Sequence, residues 1–311
     1  MSIRHLTLHQ LKIFTVLARH LNMTRAAAEL HQTPSALSIQ VKQLSGHAGA
    51  KLYEQIGKKL YLTPVGEAVD RAGRDILRRL EGLGQELDAH RNLERGLLRL
   101  SIISTAEYFA PRLVGSFCNE HPGIEVHLEI VNRDSVLERL KQNLDDIYIM
   151  GQVPDGIDGV ARPFLDNPIV VLAPAQHPLA GQRSIPPERL QDEPFILREE
   201  GSGTRLTADT FFLGRDIRLR VRMTMSSNEA VKQLVAGGLG LSVLSRNTVA
   251  AEAASGDIAI LDVQGFPILR QWHAVYRKNK RLSAVAEKFM EFLLQGKNLT
   301  PAGEFGQAQG E

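Results

Sequence analysis

The sequence predicts a mixed α+β and α/β protein: a winged helix-turn-helix, then a long linker helix, then a larger unit of two α/β lobes. Three observations predict it. Two short amphipathic segments separated by a brief turn precede a hairpin pattern; a helical stretch from Pro64 to about Leu93 carries apolar residues at near-heptad spacing; and from Leu97 onward short apolar runs alternate with amphipathic segments.

Thr7 and Gln10 match a capping box, and Leu8, Leu11, Phe14, Leu17 and Leu21 follow at helical spacing, which predicts a first helix over Leu8 to His20. Thr24 is placed to cap a second helix ending near Leu30, where Ala26, Ala27 and Ala28 let a neighbour approach closely. After His31 and Gln32, Thr33 caps a third helix with Pro34 at its first position, where the missing donor costs nothing.

Two helices so joined make a helix-turn-helix, whose second helix enters the DNA major groove. At about 100° per residue, Leu37, Val41 and Leu44 share one side of that helix, and Ser35, Ser38, Ile39 and Lys42 share the other, with Gln40 on the flank. Hydroxyls, a lysine and an isoleucine that meets a thymine methyl suit a groove. Residues 51–63 read as two strands around Gly57, Lys58 and Lys59, a wing with a basic tip. The candidate DNA-contacting set is therefore Thr24, Arg25, Thr33, Pro34, Ser35, Ser38, Ile39, Gln40, Lys42, Lys58 and Lys59.

Charge supports the same reading. The 311 residues carry a formal net charge of only +2, but residues 1–62 hold eight Lys and Arg against Glu29 and Glu54, a local charge of about +6. An ordinary small helical bundle with a solvated basic face is the alternative.

Thr63 and Pro64 give a further cap and first position. Val65, Val69, Ala72, Ile76, Leu80, Leu83 and Leu87 then form a stripe close to a coiled-coil seam, which predicts a homodimer reading two half-sites, with packing inside the same chain as the alternative.

Beyond the linker, Leu97 to Ile103, Val126 to Val131 and Ile147 to Met150 read as buried strands, with helices near Ala106 to Glu120 and Asp134 to Asn143. A second set lies near Ile169 to Ala173, Phe195 to Leu197, Leu219 to Thr224 and Leu241 to Leu244. The chain then returns to the first lobe through Trp272 to Tyr276 and a helix from Ser283 to Leu294. The alternation predicts a parallel sheet covered on both faces, in two lobes like those of periplasmic binding proteins. The expected divisions are 1–62 for DNA reading, 63–93 for the linker and 94–298 for the lobes. Lobe I spans 94–160 and 267–298, lobe II spans 161–266, and a flexible tail occupies 299–311.

Ligands of open parallel sheets sit beyond the carboxyl ends of strands, where helix amino termini offer free donors. Ser104 and Thr105, then Ser202, Gly203, Thr204 and Arg205, then Ser226 and Asn228 follow predicted strands, and Asn132 and Arg133 follow another. Each could be a helix cap alone; together they predict a pocket for a carboxylate or phosphate.

The sequence points away from an enzyme. It lacks a phosphate-loop motif, a zinc-protease helix and a Gly-x-Ser-x-Gly elbow, and Gly237-Gly238-Leu239-Gly240 precedes a strand instead of linking a strand to a helix. No catalytic residue or metal site is assigned, and no cofactor is expected. Ten dispersed histidines and the single Cys118 offer no metal cluster or internal disulfide, which suits a reducing, cytoplasmic setting. No membrane partner is expected, because no run nears the roughly 20 apolar residues of a spanning helix and the amino terminus does not read as a secretory signal. A solute-binding protein is the alternative that two lobes would serve; the basic amino-terminal unit argues against it.

The order Ala26-Ala27-Ala28-Glu29-Leu30, Thr33 to Leu44, Lys51-Leu52-Tyr53-Glu54, Leu62 to Glu67 and His121-Pro122-Gly123-Ile124-Glu125 strongly resembles the LysR-type transcription regulators. That resemblance implies double-stranded DNA as partner, a homodimer or dimer of dimers, and a small-molecule effector. Two departures stand out: Ile39 lies where the family often has a basic residue, and Ser45-Gly46 replace a commonly acidic pair, which predicts a loosened end of the third helix. Ser104 to Leu113 and Ser227 to Gln233 resemble the branch that regulates RuBisCO and Calvin-cycle operons. That branch implies activation of carbon-fixation genes, with NADPH or a phosphorylated metabolite as effector.

Overall fold

The computed structural model describes residues 5–57, 59–90, 95–151, 153–154 and 156–295, so Lys58, the end of the linker and the tail from 299 lie outside the described residues. The chain divides into two compact units, one consisting chiefly of residues 1–93 and one of the residues that follow.

In the first unit, helices α1 (Leu8–His20), α2 (Met23–Glu29) and α3 (Pro34–Ala48) precede a hairpin of β1 (Tyr53–Ile56) and β2 (Lys59–Leu62), and α4 (Pro64–His90) ends the unit. The capping box at Thr7 forms, with both reciprocal bonds at 3.2 Å. Phe14, Leu17, Ala26, Ala27, Leu37, Val41 and Leu44 interlock in one buried core, so the helical periodicity identified the inner faces. Leu37→Ala there is equivalent to emptying a filled site, a loss of about 2–5 kcal/mol.

Two expectations are corrected. The second helix is capped by Asn22, whose side chain accepts from the Arg25 amide at 3.0 Å, and Thr24 sits inside the first turn. The third helix does not loosen at Ser45-Gly46: it continues to Ala48 and ends on Gly49 at φ 72°, while the Ser45 hydroxyl donates back to the Val41 carbonyl at 2.9 Å. Glycine tolerates that left-handed cap without strain.

The first turns of α4 lie against α1 and the start of the hairpin. A Cβ on Gly66 would stand 1.8 Å from the Leu52 carbonyl oxygen, a backbone atom that cannot rotate away. Gly66→Ala should therefore cost about 1–3 kcal/mol. Calorimetry on the full chain should show the amino-terminal transition lowered by roughly 4–8 °C per kcal/mol, whereas Gly84→Ala on the open side of the helix should not lower it.

The second unit has two lobes sharing two long strands. The first lobe contains β3 (Gly96–Ile103), α5 (Ala110–Glu120), β4 (Ile124–Val131), α6 (Arg133–Lys141) and β5 (Ile147–Met150). Next comes β6 (Gly159–Pro174), 16 residues long, which carries the chain into the second lobe. There follow β7 (Pro194–Arg198), α7 (Gly203–Leu213), β8 (Arg220–Met225), α8 (Asn228–Ala236), β9 (Ser242–Ser245), α9 (Ala250–Ser255) and β10 (Ile258–Leu261). Strand β11 (Ile268–Arg277) returns alongside β6, and α10 (Ala284–Leu294) packs on the first lobe through Val285, Ala286, Phe289 and Leu293.

The expectation of a parallel sheet holds only in part. Strands β4, β3 and β5 pair in parallel, as do β7 and β8, but β11 pairs antiparallel with both β5 and β6, and β9 and β10 pair antiparallel with β6. The sheet is mixed because the chain crosses between lobes twice. The return strand must run opposite to the outgoing one.

Candidate functional site

The structure places two groups of sequence-predicted residues, one on each unit. On the first, Leu37, Val41 and Leu44 point into the core, so the opposite side of α3 is open: Ser35, Ser38 and Lys42 are exposed, Gln40 is half-buried and Ile39 is 57% exposed. Thr24, Arg25, Thr33, Pro34 and Lys59 are exposed as well. Thr33 also caps α3, its hydroxyl accepting from the Ala36 amide at 3.2 Å. An isolated apolar side chain amid hydroxyls and cations is what reading a base edge requires: donors, an acceptor and a methyl-sized contact on one ridge. On α4, Val69 and Gly73 face α1, but Ile76, Leu80, Leu83 and Leu87 remain 42–54% exposed at spacings of four, three and four.

On the second unit, the carboxyl end of β3, inner residues of β6 and β11 and the starts of α6 and α7 meet at a narrow cleft between the lobes. Of the predicted ligand residues, Thr105, Arg133, Gly203 and Thr204 line it, joined by Asn167, Thr207 and Arg270. The space is about 20 Å³, enough for about one water. The Ser202 hydroxyl does not cap α7; it bonds the Thr204 hydroxyl at 2.9 Å. No side chain therefore caps α7, whose first residues Gly203 and Thr204 line the cleft, and the partial positive charge of a helix start favours an anion.

The other predicted residues do different work. Asn132 is exposed and caps α6, accepting from the Ser135 amide at 2.9 Å. Arg205 is turned along its own helix, its Nε donating to both carboxylate oxygens of Asp209 at 3.0 and 2.8 Å and its Nη1 to the Arg198 carbonyl at 3.1 Å. Ser104, Ser226 and Asn228 converge on Arg198, which the sequence reading did not single out. Its guanidinium, 2% exposed, bonds Glu199, the Asn228 side chain, the Ser226 carbonyl at 3.1 Å and, from the other lobe, the Ser104 hydroxyl at 3.2 Å. A buried cation with this many acceptors is satisfied and holds the segments in register.

Arg270 is the more consequential omission. It lies in mid-strand on β11, lines the cleft, and its buried Nε has no acceptor. The Nε of Arg133 across the cleft is likewise buried without one. Two guanidinium groups with Nε donors to spare, that of Arg133 also 4.0 Å from the Asp134 carboxylate, stand beside threonine hydroxyls and a helix amino terminus, the kind of donors that oxygen anions accept from. In sequence Arg270 lies two residues before the strand read at Trp272 to Tyr276, next to the polar Gln271, so no apolar pattern marked it. No cluster of metal-ligating residues occurs among the described residues, and none of the helices there is long and apolar enough to cross a membrane.

Comparison with known proteins covers both units. Residues 8–67 match the bacterial regulatory helix-turn-helix protein of the lysR family, and residues 91–297 match the LysR substrate binding domain. The chain is 56% identical over 293 residues to the RuBisCO operon transcriptional regulator of Acidithiobacillus ferrooxidans, covering 94% of this chain and 95% of that one. It is 46% identical over 290 residues to the transcriptional activator CmpR of Synechocystis, covering 93% and 95%. The regulatory domain of Synechocystis CcmR, solved in complex with 2-PG, superposes with a TM-score of 0.64 at 46% identity, covering 66% of this chain and 99% of that domain.

Proposed function

The chain belongs to the LysR family of bacterial regulatory helix-turn-helix proteins, and from that premise we propose that it is a sequence-specific DNA-binding regulator of carbon-fixation genes, set by a small anionic metabolite. It acts as an activator, through a homo-oligomer, in the cytoplasm where the DNA lies, and it is not an enzyme. Residues 1–62 read DNA, 63–93 dimerise, and 94–298 sense the metabolite. The observation that carries the reading is the exposed ridge of Ser35, Ser38, Ile39 and Lys42 on the second helix of a helix-turn-helix in the most basic part of the chain.

The effector is a phosphorylated metabolite that engages Arg133, Arg270, Thr105 and Thr204, with the α7 amino terminus. The 2-PG held by the CcmR domain is the first compound to try, and NADPH is the second. Arg205 is not assigned a contact, since Asp209 already holds its fork.

Titration calorimetry on the full chain tests this. Arg270→Ala should weaken 2-PG binding about ten- to a hundredfold, the worth of one hydrogen bond to a charged group, and Thr105→Val should weaken it less. Operator affinity without ligand should stay within twofold in both. Equal 2-PG affinity in wild type and both variants would place the ligand elsewhere.

A further inference from the structure

We propose that Tyr108 of the first lobe and Lys232 of the second form a latch that keeps the lobes closed, and that an anion must open this latch to enter the cleft. The second half rests on the reading of the cleft as the ligand site; the first half does not.

The Lys232 ammonium, 4% exposed, is held within its own lobe by Glu229 at 2.8 Å and Glu252 at 2.6 Å. Its remaining face lies 4.7 Å from the centre of the Tyr108 ring. Both carboxylates belong to the second lobe, so the cation keeps its position whether or not Tyr108 is there. Only the ring is exchanged for water when the lobes separate. Burial lowers the Lys232 pKa, but the bonds to Glu229 and Glu252 outweigh it and leave it raised, while burial pushes the Tyr108 phenol up to about 12. The pair is therefore a cation over a neutral ring at any physiological pH, and a desolvated pair of that kind is worth roughly a two- to thirtyfold bias.

Two more contacts close in the same direction. Arg198 reaches Ser104 across the lobes at 3.2 Å, and Gly201, at φ +86°, lies so near Asp134 of α6 that a Cβ would meet its carboxylate at 2.3 Å. The cleft in this arrangement encloses about 20 Å³, against the roughly 300–1,000 Å³ of ligand pockets in general. A pocket of about 490 Å³ adjoins this space at Gly151 and Arg270 but does not include Thr105, Arg133 or Thr204, so a metabolite that is to touch these as well as Arg270 cannot fit until the lobes separate. Apparent affinity then scales with the fraction of molecules that are open.

Spin labels at His127 and Glu188, both exposed and on different lobes, in a Cys118→Ser background report that fraction by electron–electron distance measurement without ligand. Tyr108→Leu should raise the ratio of long to short distances about two- to thirtyfold and tighten 2-PG binding by the same factor. Tyr108→Phe, which keeps the ring face, should change neither. A distance shift in Tyr108→Leu with no 2-PG binding by any form supports the latch and removes the 2-PG reading. Unchanged distances in Tyr108→Leu, or an equal shift in Tyr108→Phe, overturn the latch; a shift accompanied by unchanged or weaker 2-PG binding overturns the claim that entry must open it.

Discussion

A chain carrying Ile76→Glu and Leu83→Glu is expected to sediment as a monomer where the native chain is an oligomer, and to lose about 100- to 10,000-fold in affinity for a paired operator. Among the described residues the stripe of Ile76, Leu80, Leu83 and Leu87 stays 42–54% exposed, although the same helix packs Gly66, Val69 and Gly73 against α1 and the hairpin. Four large apolar side chains at seam spacing are stable in water only when another helix covers them, and the same helix of a second copy matches their spacing. Carboxylates there would face like charges across a twofold axis. Loss of the dimer converts two linked half-site contacts into one, which removes the effective-concentration gain of that size. The substitutions lie beyond Gly73, so a native amino-terminal thermal transition in the variant would separate loss of pairing from loss of fold. An intact dimer would put the interface elsewhere.

The second large effect is expected on α3. Lys42→Ala should weaken specific binding by about 1–3 kcal/mol if the lysine reads a base edge, and the loss should be confined to one position of the operator. If it meets phosphate instead, the loss is uniform across sequences and the salt slope falls by about one. Ile39→Ala removes the methyl contact and should relax discrimination for thymine with little change in that slope. Since Ser35, Ser38, Ile39 and Lys42 are exposed and remote from the core formed by Leu37, Val41 and Leu44, all four alanine variants should retain the native melting temperature. Four variants with unchanged operator affinity would mean that another face reads DNA.

How much of this was legible in sequence follows from how local each signal is. The helices of the first unit announced themselves through periodicity and caps, because Thr7, Thr33 and the apolar faces act within four residues of their partners. Asn22 was passed over for Thr24 since both are good caps and only backbone geometry separates them. Strand β6 was read as five residues, Ile169 to Ala173, where the structure has sixteen, because Pro163 and Pro168 resemble loop punctuation. Over 159–168 only β11 pairs with it, and a proline that faces the unpaired side forfeits no ladder bond. The same crossing makes the sheet mixed, a property of topology that no window of residues contains.

At the cleft, the small polar residues after strands were legible and the arginines were not. Thr105, Arg133, Gly203 and Thr204 are small or polar residues at helix starts, whereas Arg198 ends β7 and Arg270 lies on β11, and the meaning of both depends on acceptors that are present or missing far along the chain. Tyr108 and Lys232 sit in segments whose resemblance was noted, but they are separated by more than a hundred residues and meet only because two lobes fold toward each other.

The most direct measurement is footprinting of the full chain on the DNA upstream of carbon-fixation genes, with and without 2-PG. The account predicts two protected half-sites centred about one helical turn, or a multiple of it, apart, a change in protection when 2-PG is added, and loss of both protections when Ser35, Ser38, Ile39 and Lys42 are replaced together by alanine. Protection that survives that fourfold replacement, or a footprint identical without ligand and with saturating 2-PG or NADPH, would contradict it.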